Sequence, residues 1–213
     1  MADGQDDWRV RAGISARTLG YYAERAEEFR AGTQDHDVSQ NIAALLRHIE
    51  GEPPFRILDF GCGPGRDLRT LSALGHLAVG LDGTAEFVAM ARRDSGCEVW
   101  HQDFLALRLP PGSFDGIYAN ASLFHVPTRT LPGVLRALRD SLKTRGVLFS
   151  SNPRGDNEEG WQGDRYGVYH DLGAWRGYLS RAGFDELEHY YRPDGLPHAQ
   201  QRWLASVWRA GSR

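Results

Sequence analysis

Cysteine is scarce in this chain: Cys62 and Cys97 are the only two among 213 residues. Two are too few for a disulfide framework, and neither sits in a Cys-x-x-Cys pair of the zinc-binding kind, so a reducing compartment is expected. A charge excess is lacking too. The net charge of −3 builds no field that would gather nucleic acid or an anionic membrane surface. No run of about eighteen apolar residues exists to span a bilayer. Residues 1–7 are acidic and contain no apolar segment, so no secretory signal is expected and a cytoplasmic location is. The eight histidines are scattered, none paired with another histidine or a cysteine at ligand spacing, and no metal is expected. Internal repeats and low-complexity tracts are absent.

What remains is ordinary globular composition, 41% hydrophobic and 25% charged, with length for one full-sized domain. Residues 15–50 read as helical, with Tyr22, Ala26 and Phe29 on one face and Ile42, Leu45, Leu46 and Ile49 on another. A turn-rich connection, residues 32–37, separates the two. Pro53 and Pro54 then forbid helix continuation. Beyond them short apolar runs alternate with helical patterns. Strands are expected at residues 55–60, 77–81, 98–101, 114–119 and 146–150, with helices reaching Leu74, starting near Thr84 (whose hydroxyl can cap it), and following Leu131, Val134, Leu135, Leu138 and Leu142. This alternation implies an α/β fold, a doubly wound, mostly parallel sheet with helices on both faces. Residues 154–171 read as a long loop, 172–182 as a helix, and 184–191 and 202–209 as two strands. With no crossover helix between them, those two should pair antiparallel.

The stretch Ile57-Leu58-Asp59-Phe60-Gly61-Cys62-Gly63-Pro64-Gly65-Arg66-Asp67 places three glycines between a buried strand and a helix. Such a bend lets backbone N–H groups approach a ligand at the helix N-terminus, in the crevice beyond the strand ends. Three ligands compete for it. A nucleoside triphosphate calls for Gly-Lys-Ser/Thr, and no lysine is present. A dinucleotide calls for Gly-x-Gly-x-x-Gly, and Arg66 stands where the third small residue belongs. S-adenosylmethionine carries an ammonium and a carboxylate instead of a pyrophosphate. It suits an acid before the glycines, Asp59, and free amides after them. A glycine turn with no ligand is the bland alternative. Asp82, at the end of the second strand, is placed to accept from ribose hydroxyls or, more plainly, to help start a helix. Asp103 and Phe104, at the end of the third, offer a carboxylate and a backbone N–H to adenine.

With these residues in place, the chain resembles the class I S-adenosylmethionine-dependent methyltransferases, in particular the small stand-alone bacterial branch acting on small molecules. The resemblance spans about residues 20–190. It implies a Rossmann-like, seven-stranded sheet with an antiparallel last strand. It also implies S-adenosylmethionine as cofactor and S-adenosylhomocysteine as product. The cofactor contacts it implies are Tyr22, Asp59, Gly61, Gly63, Gly65, Asp82, Gly83, Asp103, Phe104 and Asn120, the last opening the loop after the fourth strand. The chain then divides into an N-terminal helical cap (1–52), a cofactor-binding core (53–152) and a C-terminal part (153–213) holding a lid loop, a helix and the final strands.

Methyl transfer from a sulfonium needs alignment and exclusion of water, and a general base only if the acceptor must lose a proton. His125 is the leading candidate base and His170 the second, each with a structural role as its alternative. Trp161, Arg165, Tyr166 and Tyr169, in the expected lid, suit a planar or anionic acceptor or are incidental to a surface loop. The expected partner is a small-molecule N or O acceptor, with neither nucleic acid nor membrane, for a monomer or homodimer. Three competitors stay open: an RNA or protein methyltransferase, a non-catalytic S-adenosylmethionine-binding protein and, disfavoured by Arg66, a dinucleotide oxidoreductase.

Overall fold

The computed structural model describes residues 3–211. Three helices come first: α1 (Asp3–Glu24), α2 (Ala26–Thr33) and α3 (Ser39–Leu46). The alternating core follows as β1 (Arg56–Phe60), α4 (Arg66–Ala73), β2 (Leu77–Asp82), α5 (Ala85–Ser95), β3 (Glu98–His101), β4 (Phe114–Asn120), α6 (Leu131–Ser141) and β5 (Leu142–Pro153). Then come a hairpin of β6 (Glu158–Gln162) and β7 (Arg165–Tyr169), helix α7 (Leu172–Arg181), and strands β8 (Phe184–Arg192) and β9 (Trp203–Ala210).

The main sheet has seven strands in the order β3-β2-β1-β4-β5-β9-β8. Strands β1 to β5 run parallel, and β9 runs antiparallel to both of its neighbours. Residue alternation decides which helices cover which face. Leu58, Ile117 and Leu148 point to a core completed by Val134, Leu135 and Leu138 of α6 and Trp175 and Leu179 of α7. Their chain neighbours Ile57, Tyr118 and Phe149 point the other way, into a core built with Ile42 and Leu45 of α3, Leu68 and Leu71 of α4, and Val88 and Ala91 of α5. A strand buried on both faces has to be apolar at consecutive positions, as these are. The order reverses between β1 and β4, and this switch point opens the crevice in which such sheets bind ligands.

Three expectations need correction. Helix α1 begins at Asp3, well before residue 15: no proline interrupts residues 3–24, and Gly4, Gly13 and Gly20 are tolerated. Thr84 is the N-cap residue of α5 but its side chain makes no capping bond; Asp82 Oδ1 accepts the Thr84 N–H instead, at 2.8 Å. The expected loop at 154–171 contains the β6–β7 hairpin, in which Gln162 faces Arg165 across the two-residue turn Gly163-Asp164, with φ +62° at Gly163. A glycine-led pair is a recognised hairpin signal. It was masked by flanking strands with little apolar alternation, since β6 is almost wholly solvent-facing.

One buried hydroxyl ties the antiparallel edge to α7. Ser206 Oγ accepts the indole N–H groups of Trp175 (3.1 Å) and Trp208 (2.8 Å) and lies 3.0 Å from Ser150 Oγ. Two acceptor sites and one donor are the whole capacity of a hydroxyl. Substituting Ser206→Ala strands both indole donors in the core, and should cost about 2–4 kcal/mol in urea unfolding; a change below about 0.5 kcal/mol would contradict this accounting.

Candidate functional site

The crevice is a cavity of about 660 Å³ lined by the glycine loop, the tips of β2, β3 and β4, helices α1 and α2, and residues 36–41, and reaching Arg192 and Trp203. That volume is usual for a small-molecule site. The bend at its floor is made by glycine. Gly61 has φ +78°, and a β-carbon there would overlap the Ser122 side chain. Gly61 and Cys62 donate their N–H groups to Leu81 O at 2.8 and 3.0 Å, fastening the loop to the end of β2.

Asp82 is held from two sides. Its Oδ2 accepts the Gly63 N–H at 2.9 Å and its Oδ1 the Thr84 N–H at 2.8 Å. Only 7% exposed, it lines the cavity with these bonds fixing its plane. Burial raises its pKa despite those donors. At the tip of β3, Asp103 Oδ1 accepts the Leu105 N–H at 2.9 Å and Oδ2 accepts the Ser15 hydroxyl of α1 at 2.5 Å. Phe104 stacks on Phe60 with centroids 4.3 Å apart. At the end of β4, Asn120 Nδ2 donates to Asp67 Oδ2 (3.2 Å) and its Oδ1 accepts from Asn41 Nδ2 (3.1 Å). Asp67 in turn takes two bonds from Arg66, at 2.6 and 3.0 Å.

Of the residues the sequence singles out, the fold brings Tyr22, Gly61, Gly63, Asp82, Gly83, Asp103, Phe104, Asn120, His125 and Arg165 to the cavity wall. Six others lie elsewhere. Asp59 is buried beneath the loop at 2% exposure with Oδ2 unpartnered, and burial, then the charges of Asp67 and Asp82, push its carboxyl well above the usual range. The acid that reaches the cavity from the start of α4 is Asp67. Gly65, with φ +91°, lets α4 pass close to α5; a β-carbon there would lie 2.9 Å from Ala91 Cα. His170 stacks between Trp175 and Tyr178 beside a separate, water-sized cavity. Trp161 is 40% exposed and stacks under Arg17, whose guanidinium carbon lies 4.3 Å from its ring centre. Tyr166 donates its hydroxyl to Glu159 at 2.7 Å, and burial followed by that carboxylate pushes its pKa up to about 12. Tyr169 packs near Phe124, and its hydroxyl approaches Gly167.

His125 reaches the cavity but is already engaged. A backbone carbonyl only accepts, so the 2.6 Å contact from Nδ1 to Tyr166 O places a proton on Nδ1. Nε2 is then left to accept the Tyr22 hydroxyl at 2.9 Å. Burial first, with Arg165 nearby, lowers its pKa to about 4. The ring is a neutral strut joining α1, the loop after β4 and the hairpin. Around it, Arg17 pairs with Asp164 (2.8 Å) and the Tyr166 N–H donates to Thr18 Oγ1 (3.1 Å), so α1 and the hairpin together form the cover.

Sequence reading missed His36, Asp37, Asn41, Arg192 and Trp203, all on the cavity wall. One signal was present. Asn41 precedes the apolar positions 42, 45 and 46 of α3 and is 2% exposed, and a buried amide needs partners. Among the described residues, no group of three or more His, Cys, Asp or Glu is arranged to hold a metal.

Comparison with known proteins adds to the geometry. Residues 57–146 match the protein family described as "Methyltransferase domain". The chain is similar to 24-methylenesterol C-methyltransferase 2 of Oryza sativa subsp. japonica, 34% identical over 144 residues, covering 61% of this chain and 38% of that protein. It is also similar to a ubiquinone biosynthesis O-methyltransferase of Xanthomonas euvesicatoria pv. vesicatoria, 36% identical over 104 residues, covering 45% and 42%. The match thus spans less than half the length of these relatives. Among solved structures, 1,6-didemethyltoxoflavin-N1-methyltransferase of Burkholderia thailandensis, bound to 1,6-didemethyltoxoflavin and S-adenosylhomocysteine, superposes with TM-score 0.76 at 20% identity, covering 92% of this chain and 88% of that one.

The His125 strut has a pH signature. Folding lowers its pKa from 6.5 to about 4, so the neutral ring's contribution is complete above the unfolded value and is lost as pH falls toward the folded one. Between pH 7 and 4.5 the wild type should lose about 2 kcal/mol more stability than His125→Gln, by denaturant titration. Parallel pH profiles for the two proteins would contradict the assignment.

Proposed function

We infer that this chain, which carries a class I S-adenosylmethionine-dependent methyltransferase domain, transfers the cofactor's methyl group to a nitrogen or oxygen of a small molecule and releases S-adenosylhomocysteine. The observation that carries this reading is the fixed carboxylate of Asp82 at the cavity wall, beside a glycine loop that offers no lysine. Asp37, Asp67, Asp82 and Asp103 all line the cavity. Arg66 is tied to Asp67, so beside the glycine loop a pyrophosphate would meet the Asp82 carboxylate and no lysine, whereas that charge suits an adenosyl sulfonium bearing an ammonium.

The residues fit such a cofactor. Asp82 has acceptor capacity beyond its two backbone bonds for ribose hydroxyls, and Asp103 and Phe104 form a carboxylate and an aromatic edge at the next strand tip. The unpartnered, buried Oγ of Ser122 stands against Gly61 on the cavity wall, where a bound amino group or water would satisfy it. When bound, the cofactor supplies an electrophilic methyl group on a positively charged sulfur.

The chain's own contribution is positional. Tyr22, Phe29 and Phe87 make an apolar wall, with Tyr22 and Phe29 edge to face at 5.4 Å, that keeps water from a reacting centre. Asn120 is locked by Asn41 and Asp67, so the start of the loop after β4 keeps one orientation. His125 has both ring nitrogens engaged and takes no proton in this arrangement. The acceptor therefore enters as a free amine or an oxygen already ionised. The names of the relatives support a low-molecular-weight acceptor: one is a sterol, one a ubiquinone-pathway and one a toxoflavin-pathway enzyme.

Calorimetry should detect S-adenosylhomocysteine binding and no NAD binding, and Asp82→Ala should weaken the former by about 30-fold or more, as expected for lost hydrogen bonds to a charged acceptor. Unchanged affinity in that variant would remove the assignment. Transfer of labelled methyl to RNA or protein rather than to any small molecule would replace the acceptor class.

A further inference from the structure

The cavity wall away from the adenosyl site contains a cation that the proposed reaction has not used. Among the described residues, three arginines line the cavity: Arg66, Arg165 and Arg192. Arg66 is neutralised by its two bonds to Asp67. Arg165 belongs to the cover, where it stands 5.2 Å from the Tyr21 ring centre and its charge acts on the Tyr22 hydroxyl. Arg192, at the end of β8, differs from both. Its NH1 donates to Asn41 Oδ1 at 2.9 Å and its NH2 to the backbone oxygen of Asp37 at 3.1 Å. Both acceptors are neutral. The nearby Asp37 carboxylate turns its Oδ1 to the Ser39 N–H at 2.9 Å and makes no ion pair with Arg192.

A guanidinium has five N–H donors, so three remain beside the cavity, on a cation whose charge is felt by the nearby Asp37 carboxylate without a direct ion pair. The chain spends buried polar groups to hold it there. Asn41 Oδ1 accepts from Tyr190 (2.9 Å) as well as Arg192, while Asn41 Nδ2 grips Asn120. This relay joins β8, α3 and the end of β4, fixing Arg192 two hydrogen bonds from the residue that opens the loop after β4. A fixed, planar donor fork matches a carboxylate in two-point geometry. A phosphate dianion fits less well, because the nearby Asp37 carboxylate repels two negative charges more than one.

We propose that the methyl acceptor is a small molecule bearing a carboxylate, which pairs with Arg192. This rests on the methyltransferase reading above and adds the acceptor's chemistry to it. The test uses the full chain loaded with S-adenosylhomocysteine. Benzoate and hexanoate are compared with benzamide, hexanamide, benzylamine and phenylphosphonate by ligand-observed NMR titration. The carboxylates should bind about tenfold tighter than the matched amides, as charge-assisted bonds do. That preference should fall to within about twofold in Arg192→Gln and be partly kept in Arg192→Lys, with S-adenosylhomocysteine affinity unchanged in both. Failure of the wild type to load S-adenosylhomocysteine would sink the methyltransferase reading. Normal loading with no preference for the acids, or with the amine or phosphonate preferred, would overturn only the Arg192 proposal. So would lost S-adenosylhomocysteine affinity in Arg192→Gln, which would assign the arginine to the cofactor's own carboxylate.

Discussion

The site depends on one clamped carboxylate. Asp82 ends β2 and is held from two separate turns, by the N–H of Gly63 in the glycine loop on one oxygen and of Thr84 just after β2 on the other. The adjacent Leu81 carbonyl takes two more N–H groups from Gly61 and Cys62. Strand tip and glycine loop are thereby one rigid unit, and neither could be displaced without exposing buried donors. Burying a carboxylate is costly, and the raised pKa of Asp82 records that cost. The backbone donors offset part of it, and a ligand with hydroxyl donors offsets more.

The cover is built on different principles. Its visible ion pair, Arg17 with Asp164, has both side chains about half exposed and contributes little. The stronger tie is the relay from Tyr22 through His125 to the Tyr166 carbonyl, buried among aromatic rings and dependent on a neutral imidazole. Because α1 also sends Ser15 to Asp103, the cover contacts the very carboxylate assigned to adenine. That one oxygen ties α1 to the tip of β3.

The sheet was readable from the sequence because strands buried on both faces carry consecutive apolar residues, and Ile57-Leu58, Ala78-Val79 and Val147 to Phe149 do so. The glycine loop and Asp82 were readable because short-range spacing encodes them. The hairpin was not, since β6 has no buried face to impose alternation. Nor was the engagement of His125: which partners meet an imidazole depends on Tyr22 and Tyr166, 103 and 41 positions away. The Asn41–Asn120–Arg192 wall escaped for the same reason. Three elements remote in sequence meet only once β8 has been laid against β9.

A crystal structure of the chain grown with S-adenosylhomocysteine tests the central claim most directly. The account predicts the ribose hydroxyls on Asp82, the adenine at Asp103 and Phe104, and the amino-acid end toward Asn120. An empty crevice at saturating ligand, or a nucleoside bound with Asp82 turned from its sugar, would contradict it.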